Sequence, residues 1–144
     1  MPTNTPKPQP RPKPTEAPPP PPPPVEQTVG KHGIAGTLSL KDGKTDYGVG
    51  EDIWFNFEVA NKATGTAFYG ILGVAADTGQ FQSSWTGELK LNSGETLKWE
   101  DKINLSSPGK HSLVLSMCFS KLDVCKSPNG DWENVAPPVV VNIR

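Results

Sequence analysis

Ile53-Trp54-Phe55-Asn56-Phe57-Glu58-Val59 alternates a large apolar side chain with a different kind of residue at every step. In an extended chain, successive side chains point to opposite faces. Ile53, Phe55, Phe57 and Val59 therefore share one face, and Trp54, Asn56 and Glu58 share the other. Seven residues of strict period two define a half-buried strand. The same period recurs on both sides. Upstream, Ile34, Gly36, Leu38 and Leu40 alternate with Ala35, Thr37 and Ser39 and end at the turn Lys41-Asp42-Gly43-Lys44. Downstream, Leu97, Trp99, Ile103 and Leu105 alternate with Lys98, Glu100, Lys102 and Asn104, and Leu113, Leu115, Met117 and Phe119 form a further long run. Val139, Val141 and Ile143 close the chain, with Pro137 and Pro138 at a strand entrance, where a missing donor suits an edge position.

Other segments are less regular. Phe68 to Ala76 is apolar on both faces and broken by Gly70 and Gly73, which fits a central strand with a bulge or a close neighbour at the glycines. Phe81–Trp85 and Gly87–Leu91 read as two short pieces. Asp101 falls on the apolar parity, so a bulge or twist is expected there. Trp99 is expected inside. Ser120 to Val135 reads as a long loop, and loops of that length in compact domains are usually stapled or functional. Nowhere does an amphipathic helix appear. About seven short strands separated by turn residues predict an all-β fold, an antiparallel β-sandwich with Greek-key connections over residues 32–144. A small barrel or jelly roll is the alternative.

The first 31 residues are unlike the rest. Thirteen of the 17 prolines fall before residue 25, seven of them consecutively from Pro18 to Pro24. Each proline fixes φ and removes a backbone donor, which excludes helix and sheet and favours the extended polyproline II form. Residues 1–31 are thus expected to be a disordered, stiff linker, of which residues 2–24 would span on the order of 70 Å if fully extended at about 3.1 Å per residue. Met1 leads directly into Pro-Thr-Asn-Thr-Pro, and the expectation is that a signal or anchor precedes it in a longer protein.

Charge is spread thinly, with 14 basic and 15 acidic residues, and no clustered basic face points to nucleic acid. No run approaches the roughly 20 apolar residues of a membrane span. Cys118 and Cys125 lie seven positions apart. Zinc would ask for four closely spaced ligands, whereas His32 and His111 are distant in sequence, and a redox pair is more usually C-x-x-C. A disulfide closing a short loop, or two unrelated thiols, are the two readings left; the disulfide is the expectation, and with it an oxidising compartment.

The cadence Ser93-Gly94-Glu95-Thr96-Leu97, then Ser107-Pro108-Gly109-Lys110-His111-Ser112-Leu113-Val114-Leu115, then Val139-Val140-Val141-Asn142-Ile143, resembles bacterial immunoglobulin-like and fibronectin-III-like surface modules. In these a Gly-Glu turn opens one strand and a Pro-Gly turn the next. His111 stands where such modules carry an aromatic residue. The cysteines do not have the antibody arrangement of one per sheet. The proline-rich segment is similar to spacers of secreted or envelope-anchored bacterial proteins. The resemblance implies an extracellular or cell-envelope location and a monomeric, non-catalytic module within a larger protein.

Chemistry-bearing patterns are sparse. His111 has no Ser/Asp constellation at recognisable spacing and reads as a strand-start residue. The pairs Glu51-Asp52, Glu100-Asp101 and Asp131…Glu133 read as solvated turn residues rather than a glycosidase dyad. Gly48-Val49-Gly50 precedes no helix and is a turn. Asp123, Asn129, Asp131 and Glu133 offer the oxygen ligands calcium prefers, but at no EF-hand spacing. No cofactor or metal is expected. The Asn104-Leu105-Ser106 sequon reads as accidental. The aromatic residues Trp54, Trp85, Trp132 and Tyr47 are the binding candidates, since exposed rings stack sugars or anchor protein partners. Protein interaction is the first reading. Carbohydrate binding through the tryptophans and loop-based protease inhibition are the alternatives.

Overall fold

The computed structural model describes residues 29–144; the expected polyproline rod falls on residues 1–28, outside them. Two sheets face each other across one core. Ile34–Leu40 (β1), Ile53–Asn61 (β3) and Thr96–Ile103 (β6) form a three-stranded sheet in the order β1-β3-β6. The second sheet has the order β2-β9-β7-β4-β5, built from Asp46–Tyr47 (β2), Ala67–Ala76 (β4), Phe81–Leu91 (β5), Gly109–Cys118 (β7) and Val139–Ile143 (β9). A further strand, Trp132–Asn134 (β8), pairs with the far end of β7. The chain passes between sheets at each step from β1 to β4, then from β5 to β6 and again from β6 to β7, the connectivity of a Greek-key sandwich.

The alternation in β3 holds residue by residue. Ile53, Phe55, Phe57 and Val59 are buried, facing Leu72, Val74, Leu113, Leu115, Met117 and Val141 of the opposite sheet. The Gly94 turn opens β6 and the Pro108-Gly109 turn opens β7, where the cadence of the sequence put them.

Several expectations are corrected. Phe81–Trp85 and Gly87–Leu91 form one strand, not two. The nine strands of the described residues exceed the expected seven because β2 and β8, of two and three residues, are too short to display a period. The pairing is not wholly antiparallel: Asp46 and Tyr47 run parallel to Asn142 and Ile143. Ser120–Val135 is not a plain loop, for it holds β8 and a single helical turn, Leu122–Cys125 (α1). No bulge occurs at Asp101. The β3–β6 register is continuous from Ile53↔Ile103 to Ala60↔Thr96, and Asp101 turns inward opposite Phe55. Its carboxylate accepts hydrogen bonds from Ser84 Oγ at 2.8 Å and Gln82 Nε2 at 3.3 Å, which ties the open sides of the two sheets together. Trp99 lies on the inner parity, yet it is 44% exposed because β6 is the last strand of its sheet.

His111 joins a turn to a strand. Its Nδ1 lies 2.7 Å from Asp77 Oδ1 and its Nε2 2.7 Å from the Ser107 carbonyl, while the Ser112 amide donates to Asp77 Oδ2. The Asp77 carboxylate, and then the Ser107 carbonyl, favour the imidazolium and raise the His111 pKa above its usual value. The Ser112 amide, and then His111, lower that of Asp77. A raised histidine contributes stability fully below about pH 6.5 and loses it as pH rises through the folded value; a lowered aspartate contributes above about pH 3.9 and loses it on acidification. The pair is therefore strongest between those limits. The melting temperature of the protein should exceed that of His111→Gln most at pH 5–6, with the gap narrowing by pH 8. A gap independent of pH would show that the imidazole is not charged in the fold.

Candidate functional site

A surface concavity arises where β4 and β5 lose register. Tyr69 pairs with Leu89 and Ile71 with Thr86, so Gly87 and Glu88 together oppose the single residue Gly70. Gly87 adopts a φ of 135°, a conformation that favours glycine. Gly70 is needed for a different reason: a side chain there would run into the Ser120 carbonyl and the Leu122 amide of the crossing segment. Backbone approach this close seats Ser120 and α1 directly over the bulge.

A staple holds that segment down. Cys118 ends β7 on the outer face of the six-stranded sheet, Cys125 ends α1, and the two form a disulfide with Cα atoms 6.0 Å apart. Both cysteines are buried and pack with Ile71, against which Leu122 leans. The expected disulfide is present, and it covers the second apolar face of β4.

Between the bulge and the stapled segment lies a cleft of about 510 Å³, walled by Phe68, Tyr69, Leu89 and Phe119 and rimmed by Lys90 and Lys121. A shallower hollow of about 410 Å³ shares Gly87, Glu88 and Lys121 with it and runs on along Leu122 and Lys126. Phe68 is 69% exposed, more than any other large apolar residue described. The volume is within the range of small-ligand and peptide sites.

The chain entering the domain meets this same wall. The His32 ring stacks on Phe119 at 3.9 Å between centroids, nearly parallel. His32 Nε2 lies 2.7 Å from Asp131 Oδ2 and Lys31 Nζ 2.8 Å from Asp131 Oδ1, pairs that hold the Asp131 carboxyl below the usual carboxylate range, with Lys31 contributing first. The Asp131 amide donates in turn to Ser120 Oγ. Lys31, which the sequence placed in the linker, thus belongs to the fold. Asp131, one of the oxygens considered for calcium, is engaged by Lys31 and His32. Among the described residues, no three His, Cys, Asp or Glu side chains converge as a metal site would need.

The four aromatic candidates do not come together. Tyr47 is a core residue, 3% exposed, its hydroxyl donating to the Lys44 carbonyl, so it presents no binding surface; burial raises its pKa. Trp54 is 40% exposed on the outer face of the three-stranded sheet, with Lys41 and Lys102 ammonium groups 5.5 and 5.3 Å from its ring centre. Trp132 is 39% exposed on the other sheet and meets Phe81 edge-on at 5.4 Å across Gly73, over which the Phe81 ring leaves no room for a side chain. Trp85 points inward and packs edge-on against Trp99 at 4.8 Å; its Nε1 is buried without a hydrogen-bond partner. The groove residues Phe68, Leu89 and Phe119 were not singled out from the sequence. Gly70 was the available signal, since a glycine in an apolar strand marks close backbone approach.

No family model matches this chain, and no curated protein does. Solved structures do resemble it. The alkylpurine DNA glycosylase AlkC of Pseudomonas fluorescens, bound to DNA containing an abasic site analog, aligns over 80% of this chain and 31% of its own, with 15% identity and a TM-score of 0.55. The sporulation control protein Spo0M of Bacillus subtilis aligns over 78% and 49%, at 10% identity and 0.53. The CARDB domain of the PF1109 protein of Pyrococcus furiosus, solved in complex with di-metal ions, aligns over 77% of this chain and 87% of its own, at 14% identity and 0.51. The chain thus spans about a third of AlkC, half of Spo0M and nearly all of the CARDB domain. Identities this low establish the fold, an immunoglobulin-like β-sandwich, and carry no activity across.

Proposed function

We propose that this chain is a non-catalytic, extracellular or cell-envelope binding module on a proline-rich spacer, and that it binds an extended segment of a protein partner in the Phe68–Leu89–Phe119 groove. The observation that carries the reading is the groove itself: an exposed aromatic residue and an apolar floor beside a loop that a disulfide has already ordered. Preordering lowers the entropy lost on association. Burial of the disulfide favours an oxidising compartment. Both ring nitrogens of His111 are engaged, by Asp77 Oδ1 and the Ser107 carbonyl, which supports a structural role for that side chain. The carbohydrate alternative is disfavoured because Trp54 and Trp132 lie on opposite faces and Trp85 points inward, so they make no shared platform.

The test is selection of a phage-displayed random peptide library on the full chain, followed by NMR titration of the enriched peptides. Amide shifts at Phe68, Leu89 and Lys121 are expected, with affinity falling about tenfold or more in Phe68→Ser, the loss typical of a central aromatic anchor. Phe68 is exposed, so this variant should fold normally. Enrichment of nothing, or retention on cellulose, chitin or xylan that Trp54→Ala or Trp132→Ala abolishes, would overturn the reading.

A further inference from the structure

We propose that the groove selects an extended acidic peptide, with one apolar side chain seated on Phe68 and carboxylates beside it held by Lys90 and Lys121. The inference rests on the groove reading above and names the chemistry of its partner. Phe68 is 69% exposed and stands directly across the β4–β5 ladder from Lys90. Side chains opposite each other in an antiparallel pair start about 5 Å apart. A ligand residue laid on the Phe68 ring therefore brings its chain neighbours to the Lys90 ammonium.

The lysines here are unengaged. Lys31, Lys41, Lys44, Lys98 and Lys102 each have an acidic partner, whereas Lys90, Lys121 and Lys126 make no ion pair among the described residues. Two acids stand near them. Glu88 lines both hollows and Asp123 only the shallower one, so the deeper cleft holds two ammonium groups to one carboxylate. The described residues carry 13 acidic and 11 basic side chains in all, so this excess of positive charge is local. A ligand that covers these lysines strips water from them, and an ammonium without water or partner is costly. Ligand carboxylates remove that cost. Neutral or basic segments do not.

Both walls also offer main-chain groups. Lys121 is extended, at φ −63° and ψ 152°, and the amides of Ser120 and Lys121 donate to no described group. Opposite them, Gly87 and Glu88 share the single partner Gly70, and a bulge leaves its extra residue unpaired. An extended segment meets such groups with its own backbone, while its alternate side chains supply specificity. The Cys118–Cys125 bond and the Asp131 amide, which donates to Ser120 Oγ, hold the wall in place beforehand.

The experiment uses as probes the peptides enriched from the random library on the full chain. Asp or Glu should flank one aromatic or aliphatic residue in them. Lys90→Glu/Lys121→Glu should weaken their binding about tenfold or more, and replacing the peptide's acids by lysine should restore affinity for this double variant. Both lysines are exposed, so the variant should melt with the parent protein. Raising NaCl from about 50 to 500 mM should weaken parent binding, since screening acts on exposed charge. Peptides that shift Phe68 and Leu89 but carry no acidic excess would overturn the proposal and leave the groove reading intact. So would acidic peptides indifferent to the double variant. Heparin or phosphatidylglycerol vesicles displacing the peptides at equal charge concentration would show that charge alone is read, and would overturn it too. If no peptide is enriched, the groove reading falls and this inference with it.

Discussion

Asn61→Asp should destabilise the domain by about 3–5 kcal/mol, enough to shift the urea midpoint by about 2 M without changing the slope. Asn61 is one of two buried polar residues among the described residues, 1% exposed, at the end of β3. Its Nδ2 donates to the carbonyls of Gly65 and Leu91, each at 2.8 Å, and its Oδ1 accepts from the Ala63 amide at 3.0 Å. Its backbone pairs with Glu95 and Gly94. One side chain thus closes the β3–β4 turn, fixes the last residue of β5 and sits beside the β5–β6 turn. Aspartate occupies the same volume but has no donors. Two carbonyls would lose their partner, at roughly 1–3 kcal/mol for each buried group left unmade, and a carboxylate would face them in a dry site. Burial and the two carbonyl dipoles would raise that carboxyl's folded pKa. The deficit should therefore be largest at neutral pH and shrink as pH falls through the folded value. Asn61→Ala removes the donors without adding charge, and should cost less and show no such pH dependence. Equal losses for the two variants would show that the hydrogen bonds, not the charge, carry the effect.

How far the sequence discloses this molecule depends on whether a feature is periodic. β3 is legible because one face is packed and the other wet, so Phe55 and Phe57 alternate with Asn56 and Glu58. Leu113, Leu115 and Met117 announce β7 for the same reason. Gly70 and Gly73 mark close approach because an apolar strand gives up packing area at a glycine, a loss it recovers only where another backbone or ring fills the space. Asp101 misleads because a carboxylate on the apolar parity suggests a slip, whereas Ser84 and Gln82 satisfy it inside an unbroken register. Trp99 and Tyr47 mislead in opposite ways. Both lie on edge strands, so parity sets direction but local cover sets exposure: Trp99 is left 44% exposed, whereas Tyr47 packs into the core with its hydroxyl tied to the Lys44 carbonyl. The groove was legible only as the close approach that Gly70 marks, not as a groove. It exists only where a strand slip meets a disulfide-anchored segment about fifty residues away in the chain, and no local pattern encodes that meeting.

That anchoring sets the second large effect. The disulfide closes a ring of eight residues, for which the loss of unfolded-state entropy amounts to about 2–3 kcal/mol on the chain-entropy account. Cys118→Ala/Cys125→Ala should accordingly lower the melting temperature by roughly 10 °C for a domain of this size. A reductant should lower that of the parent protein similarly and leave the double variant unaffected. The local consequence is more specific. Cys118, Cys125, Ile71 and Leu122 form a small cluster separate from the main core, so loss of the bond should loosen Phe119–Leu122 while β3, β4 and β7 keep their packing. Amide exchange should quicken at Ser120 and Lys121 well before it does at Leu115 or Phe55, and peptide affinity should fall at temperatures where the domain is still folded. A variant that melts lower but binds library-selected peptides unchanged would show that the staple serves stability alone, and that the groove wall stands without it.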